Sequence, residues 1–306
     1  MGAHSGRHIS LVAAVALAAC TLAYTPAARA CAACNCGDPT LTAAGVEQPY
    51  RNRVRAGIEE RYMERDQGDG LTAETTHLLR STAFGLWTPH PRITVGLLIP
   101  WLTNWVTPAT GPHQLINGLG DMELSGRVLL FRDRHFAAHH LLWGLAGLKM
   151  PTGPRLKDDQ GFPYADDDQP GSGSWDPFVG VTYAWFSGAL WSAYLNAGYK
   201  QTTRGYHGYR RGSIFTGTVA AQAQPWNWGA FQLGLDATWS QADELANGNA
   251  MPNTGGTVMR LAPAFVAAPR MDLTMRLAVL IPAYQNWNGV QNEGVQVSFS
   301  LVYDIR

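Results

Sequence analysis

From Val295 to the end of the chain, Val295, Val297, Phe299, Leu301, Tyr303 and Ile305 alternate with Gln296, Ser298, Ser300, Val302, Asp304 and Arg306. A helix cannot place these two sets on opposite faces, whereas a strand does so at every step. The same period of two recurs at Ile93, Val95, Leu97, Ile99 and Trp101. It recurs at Met122, Leu124, Val128 and Leu130, opposed by Asp121, Glu123, Ser125 and Arg127. Leu273, Met275, Leu277, Val279 and Ile281 are opposed by Asp272, Thr274 and Arg276. Near the front, Val54, Ala56, Ile58 and Tyr62 oppose Arg53, Arg55, Glu59 and Arg61.

This reading predicts twelve strands, near 51–64, 76–87, 92–102, 119–131, 138–150, 176–186, 189–200, 212–224, 228–240, 257–267, 270–282 and 294–306. Five connections are short, around Pro89, Arg132, Ser187, Pro225 and Pro269. The other six, 65–75, 103–118, 151–175, 201–211, 241–256 and 283–293, are longer and alternate with them. Tight turns on one side and larger loops on the other are the sequence form of a transmembrane antiparallel β-barrel of the outer membrane. A soluble β-sandwich also alternates, but strands of about 11 residues match the 9–11 that a tilted strand needs to cross a bilayer. Trp87, Trp101, Trp185, Trp191, Trp226, Trp228 and Trp239 fall near predicted strand ends, where their rings would lie at lipid headgroups. Closure is expected between the strands at 51–64 and 294–306, because an open edge in hydrocarbon leaves backbone groups unpaired. An even strand count puts both ends of the barrel on one side, here the periplasm.

Composition narrows the picture further. The 306 residues carry no net formal charge, and 15% are charged, against roughly 25% in an ordinary soluble domain. Abundant aromatics exclude disorder, and the absence of a basic excess argues against nucleic acid as a partner. The only long uncharged apolar run is at the extreme N-terminus, so a bundle of membrane helices is excluded. That run, Ile9 to Tyr24 after Arg7, reads as an export signal with cleavage after Ala28-Arg29-Ala30. A competing site, Leu17-Ala18-Ala19-Cys20, has the form of a lipoprotein box. The expected organisation is a signal peptide at 1–30, a periplasmic cysteine-containing segment at 31–50 and a barrel at 51–306.

Three stretches carry a family resemblance: Gly118-Leu119-Gly120-Asp121, then Gly147-Leu148-Lys149-Met150-Pro151-Thr152-Gly153, then Gly171-Ser172-Gly173-Ser174-Trp175-Asp176-Pro177. In this order and spacing the chain resembles the outer-membrane transporter family named for a proposed meta-pathway of phenol degradation. The resemblance is firmest over 118–181. It implies an outer-membrane barrel that passes small organic solutes, and it carries no catalytic residue. The chain departs from the usual barrel pattern at its last residue, Arg306, where an aromatic is normally read by the outer-membrane assembly machinery.

If the apolar sets face the lipid bilayer, Arg53, Arg55, Glu59, Arg61, Asp121, Glu123, Arg127, Asp272, Arg276, Asp304 and Arg306 face the lumen. Opposed rows of arginine and carboxylate would set up a field across the tube and favour a polar small-molecule solute. The alternative is that these residues pair and fill the interior. The loop at 151–175, with the strand start after it, holds Asp158, Asp159, Asp166, Asp167, Asp168 and Asp176. It is either a solvated acidic loop or a divalent-cation site, and as the longest loop it is a candidate lid. Cys31, Cys34 and Cys36 form either one disulfide plus a thiol, a soft-metal site, or a covalent link to a partner. No cofactor is implied elsewhere. His135, His139 and His140 read as a solvated turn or a metal site. Enzyme motifs such as GxSxG and HExxH are missing. A lipase-like outer-membrane enzyme remains the alternative function, along with a structural or metal-handling barrel built around the cysteines.

Overall fold

The computed structural model describes residues 51–135, 138–188 and 190–305. The expected signal peptide, the cysteine segment with Cys31, Cys34 and Cys36, and Arg306 lie outside the described residues.

Fourteen strands form one antiparallel sheet: β1 (Arg53–Gln67), β2 (Glu74–His90), β3 (Ile93–Pro108), β4 (Gln114–Leu119), β5 (Met122–Arg132), β6 (His140–Met150), β7 (Asp176–Ser187), β8 (Trp191–Lys200), β9 (Ile214–Trp226), β10 (Gly229–Ser240), β11 (Gly256–Arg270), β12 (Leu273–Trp287), β13 (Gln291–Glu293) and β14 (Gln296–Ile305). They make twelve passes of the wall. β4 and β5 are one pass broken at Gly120 and Asp121, and β13 and β14 are one pass broken at Gly294 and Val295. Neighbours in sequence are neighbours in space, and the ring closes through β1. That strand pairs with β2 along its whole length, Arg53↔Thr88 to Gln67↔Glu74. On its other side it pairs with β14, Val54↔Ile305 to Tyr62↔Val297, and with β13. The ring of twelve passes is thereby closed, as a strand structure in lipid requires, although β4 is paired on one side alone, with β3.

The strands run further than the alternation alone indicates. β1, β2, β3 and β12 extend into what read as the loops 65–75, 103–118 and 283–293, leaving connections of 68–73, 109–113 and 288–290. The cause is visible in β1 and β2, where Glu64, Asp66, Thr75 and His77 put polar groups on the outward face. A strand wet on both sides has no apolar face and loses its period-two signature. The truly long connections, 151–175, 201–213 and 241–255, all lie at one end of the barrel, here the loop end. The opposite, turn end carries tight connections such as 91–92, 227–228 and 271–272.

Burial alternates along each pass. The outward set is apolar and exposed, including Ile58, Leu97, Leu124, Val219, Leu261 and Tyr303. The aromatic residues Trp87, Trp185, Trp191 and Trp228 are exposed near the turn end, and Trp101, Trp105 and Trp239 nearer the loop end. The inward set is mixed. Leu129, Leu141, Trp143, Ala184, Tyr194 and Ala220 form an apolar cluster inside β5 to β9. Arginine, carboxylate, threonine and serine dominate the inner side of β1, β14 and β12.

Two inward glycines fix side-chain packing in the wall. A Cβ on Gly57 would lie 2.4 Å from the Phe84 ring, and one on Gly147 would lie 2.2 Å from Phe178 and 2.6 Å from the Leu124 carbonyl. In each case a phenylalanine on the paired residue of the next strand lies over the bare glycine backbone. Gly126, with open space beside it, has no such constraint. Gly147→Val should therefore prevent barrel assembly, while Gly126→Val assembles. On SDS gels the wild type and Gly126→Val should migrate differently before and after boiling, and Gly147→Val should give only the unfolded position.

Candidate functional site

At the turn end, barrel closure brings two arginines onto one carboxylate. Arg55 lies opposite Asp304 in the β1–β14 register. Arg53 donates from Nε and Nη2 to both Asp304 oxygens, each at 2.8 Å, and Arg55 donates from Nε at 3.0 Å. All three side chains are buried. Arg127 on β5 lies over the Trp143 ring at 4.2 Å from its centroid and is close enough to Arg55 for the two guanidiniums to repel.

Glu59 accepts from Arg61 Nη2 and from Ser298 Oγ, both at 3.0 Å. Arg276 donates to Gln232 Oε1 at 3.0 Å, and Gln232 in turn donates to the Tyr194 hydroxyl. Arg61, Arg276, Gln232, Tyr194 and Asp236 border a cavity of about 30 Å³, room for roughly one water. Glu123 pairs with Lys200 at 2.5 Å. Asp272 lies in the two-residue turn before β12, and not in the strand, and its backbone carbonyl accepts the Asp304 N–H.

Sequence reasoning missed a third ionic cluster. Arg260 on β11 donates to Glu293 at 2.5 and 2.7 Å and to Asp236 at 2.9 Å. Its inward neighbours Val258, Ala262, Ala264 and Val266 are apolar, so the middle of the strand reads as apolar on both faces and hides this charge.

The three glycine-rich stretches, far apart in sequence, meet around Lys149. Its ammonium lies 3.0 Å from Asp121 and 2.6 Å from Asp176, 3.2 Å from Ser174 Oγ and in contact with Ser172 Oγ. Asp121 also accepts the Ser172 hydroxyl at 2.6 Å, the Ser172 N–H at 2.8 Å and the Gly153 N–H at 3.1 Å. Asp176 accepts the Thr203 N–H at 2.8 Å. Each stretch supplies one charge to the cluster. The break in the fourth pass at Gly120 and Asp121 turns that carboxylate toward the loop. Gly153 and Gly171 then pack backbone to backbone, with no room for a Cβ on either. The three family-like motifs marked these residues in sequence but not their meeting; Lys149 and Lys200, two of the three lysines in the chain, both end inward-facing ion pairs.

Anchored in this way, the 151–175 loop lies against the inner wall. Leu156 and Pro170 pack over Gly118. The buried Asn104 of β3 donates to the Asp168 carbonyl. Arg211, from the 201–213 connection, donates to the carbonyls of Asp166, Asp167 and Gln169. That connection is tied to the next one by Tyr209–Asp243 and Arg210–Glu244 contacts. The loop is solvated over part of its length, with residues 159–163 exposed, and docked over the rest. Arg155 pairs with Asp166, Asp158 caps its own turn, and Asp168 is buried. Among the described residues no three His, Cys, Asp or Glu side chains form a metal site. At the turn end, Asp133 accepts the N–H groups of His139 and His140, which hold its carboxyl below the usual range.

The closed antiparallel ring, the apolar outer wall and the charged inner one define a β-barrel of the outer-membrane type. The chain is similar to a solved outer membrane channel from Pseudomonas putida F1, with TM-score 0.63 and 13% identity over 84% of this chain and 97% of that one. It also matches the translocator domain of the autotransporter NalP from Neisseria meningitidis, with TM-score 0.48 and 8% identity over 86% and 93%. No protein-family model and no curated protein matches the chain. At these identities the likeness is one of fold.

Two outcomes follow from the loop anchor. Lys149→Met leaves Asp121 and Asp176 buried without their counter-ion and should lower barrel stability by about 3–5 kcal/mol, measured as a drop in the temperature at which the folded gel band is lost. Asp168 has its pKa raised to about 7, chiefly by burial and then by Asp167 and Glu74, with Arg65 and Arg211 opposing. A carboxyl with a raised folded-state pKa favours the docked loop when protonated. Docking should therefore be strongest below the ordinary carboxylate pKa of about 4 and weaken as pH rises through about 7. Protease protection of the 151–175 loop should follow that profile, and Asp168→Asn should flatten it.

Proposed function

We propose that this chain is a gated outer-membrane channel for passive, selective movement of small organic solutes, with the 151–175 loop as its lid. The carrying observation is the contrast between the two sides of the wall. An outer face that is apolar over most of the barrel and an inner face bearing charges from the turn end to the loop end suit a water path through lipid. A purely structural interior would gain more from apolar filling, as the Leu129–Trp143 side demonstrates. Arg53, Arg55, Glu59, Arg61, Asp121, Glu123, Arg127, Arg276 and Asp304 line the path in this reading, and Asp272 stands at its turn-end mouth. The long loops face outward, and the termini are periplasmic. The outer-membrane assembly machinery inserts the chain. Membership of the proposed meta-pathway family is supported by its three motifs meeting at one ion cluster.

The inner charge is uneven along the axis. Within five residues of strand ends at the short turns lie the buried Arg53, Arg55, Arg127 and Arg276, with Asp304 as the buried carboxylate among them. In a low-dielectric tube this excess favours anions. The lipase-like alternative gains nothing from the outer wall, where Ser81 donates to Glu60 and not to a histidine.

Reconstituted in planar bilayers, the chain should conduct with a preference for anions, and liposomes containing it should swell in small organic acids. Replacing Arg53 and Arg55 together by glutamine keeps a donor for Asp304 and removes two charges. The anion-to-cation permeability ratio should fall by about threefold or more, read from the reversal potential in a salt gradient. No conductance from normally inserted wild type, or an unchanged ratio in the variant, contradicts this reading.

A further inference from the structure

Among the described residues, one charged side chain faces outward in the central part of a strand of the outer wall. Glu60 is the midpoint of β1, and its outward neighbours along the strand, Ile58 and Tyr62, are exposed. It pairs across the sheet with Phe299 on one side and Ser81 on the other. Ser81 Oγ donates to Glu60 Oε2 at 2.6 Å. Among the described residues, no other strand carries a charged group outward in its central part. Near the middle of other strands the outward residues are apolar, among them Val181, Leu195 and Val219. Beside the polar pair the wall is flat: Ala56 lies opposite Gly85, and Ile58 opposite Ala83. A Cβ on Gly85 would meet nothing within 4 Å.

We propose that this face, the outer side of β1 and β2 around Glu60 and Ser81, is the interface between two copies of the chain in the membrane. An ionisable group in the apolar belt calls for a polar partner, and acyl chains offer none. The pair is self-complementary, which is what a twofold interface requires. Across such an axis, Ser81 of each copy donates to its own Glu60. Glu60 of each copy then lies beside Ser81 of the second, so the four polar groups meet one another and not acyl chains. Ala56, Ala83 and Gly85 let the two walls approach closely enough to make it, as small residues do at other membrane interfaces.

The inference needs a barrel in a bilayer and does not need it to conduct. The test is single-molecule photobleaching of the labelled full chain in phosphatidylcholine–phosphatidylglycerol vesicles at low protein density. Two-step bleaching should predominate for the wild type and for Glu60→Gln, whose amide keeps a polar partner for Ser81. Glu60→Leu should shift the dimer midpoint to on the order of tenfold higher density. Ala83→Trp should do the same by bulk alone, and Val219→Trp on the far wall should not. Folded gel mobility checks that each variant assembles. Wild type that bleaches in one step at every density overturns the proposal, as do dimers indifferent to both Glu60→Leu and Ala83→Trp. Conductance recorded on the same vesicles separates this result from the channel reading, since either can fail without the other.

Discussion

Backbone hydrogen bonding in a medium without water governs this structure. A strand in hydrocarbon must find partners on both edges, and a sheet that has them everywhere is a closed ring. Here β1 supplies the closure, bonded to β2 along its full length and to β14 and β13 on the other side. Closure in turn fixes which side chains face in and which face out at every step. It sets Arg53 and Arg55 against Asp304 from the opposite end of the chain, a separation of 251 residues for the first pair.

The same constraint makes the interior charges expensive to leave unmatched. Each inward charge cluster is resolved locally: Arg53 and Arg55 on Asp304, Arg260 between Asp236 and Glu293, Lys200 on Glu123. Lys149 differs because its partners come from two separate breaks in regular structure, the strand interruption at Asp121 and the loop exit at Asp176. One ammonium therefore ties the wall to the 151–175 loop. The glycines around it follow from that role. Gly153 and Gly171 allow two backbones to touch, and Gly118 leaves room for Leu156 and Pro170. What reads in sequence as three loose glycine-rich stretches is one joint.

Much of the barrel was legible because one face of each pass meets an apolar medium. That demand writes itself as alternation at Val295–Ile305 and at Leu273–Ile281. Where both faces are wet, as at Glu64 and Asp66 or Thr75 and His77, the demand lapses, and so did the signal for the upper parts of β1 and β2. The inner side is harder to read, since packing there has no fixed pattern. Leu141 and Trp143 are inward and apolar, and Arg260 is inward and charged among alanines and valines. Asp121 and Asp176 stood out as isolated residues in sequence. Their convergence on Lys149 depends on the register of β5 with β6 and of β6 with β7, where Glu123 meets Lys149 and Lys149 meets Asp176. Register is a property of strand pairs and is not written in either strand alone.

In the proposed channel the inner wall is a solute path and the Lys149 cluster holds it shut. Single-channel recording of the wild type beside Lys149→Met, both inserted from detergent into the same planar bilayer, addresses it directly. The account predicts brief, infrequent openings in the wild type and long-lived openings of larger conductance in the variant, because the loop loses its tie to Asp121 and Asp176. Traces with the same open probability and conductance from two normally folded proteins would contradict it.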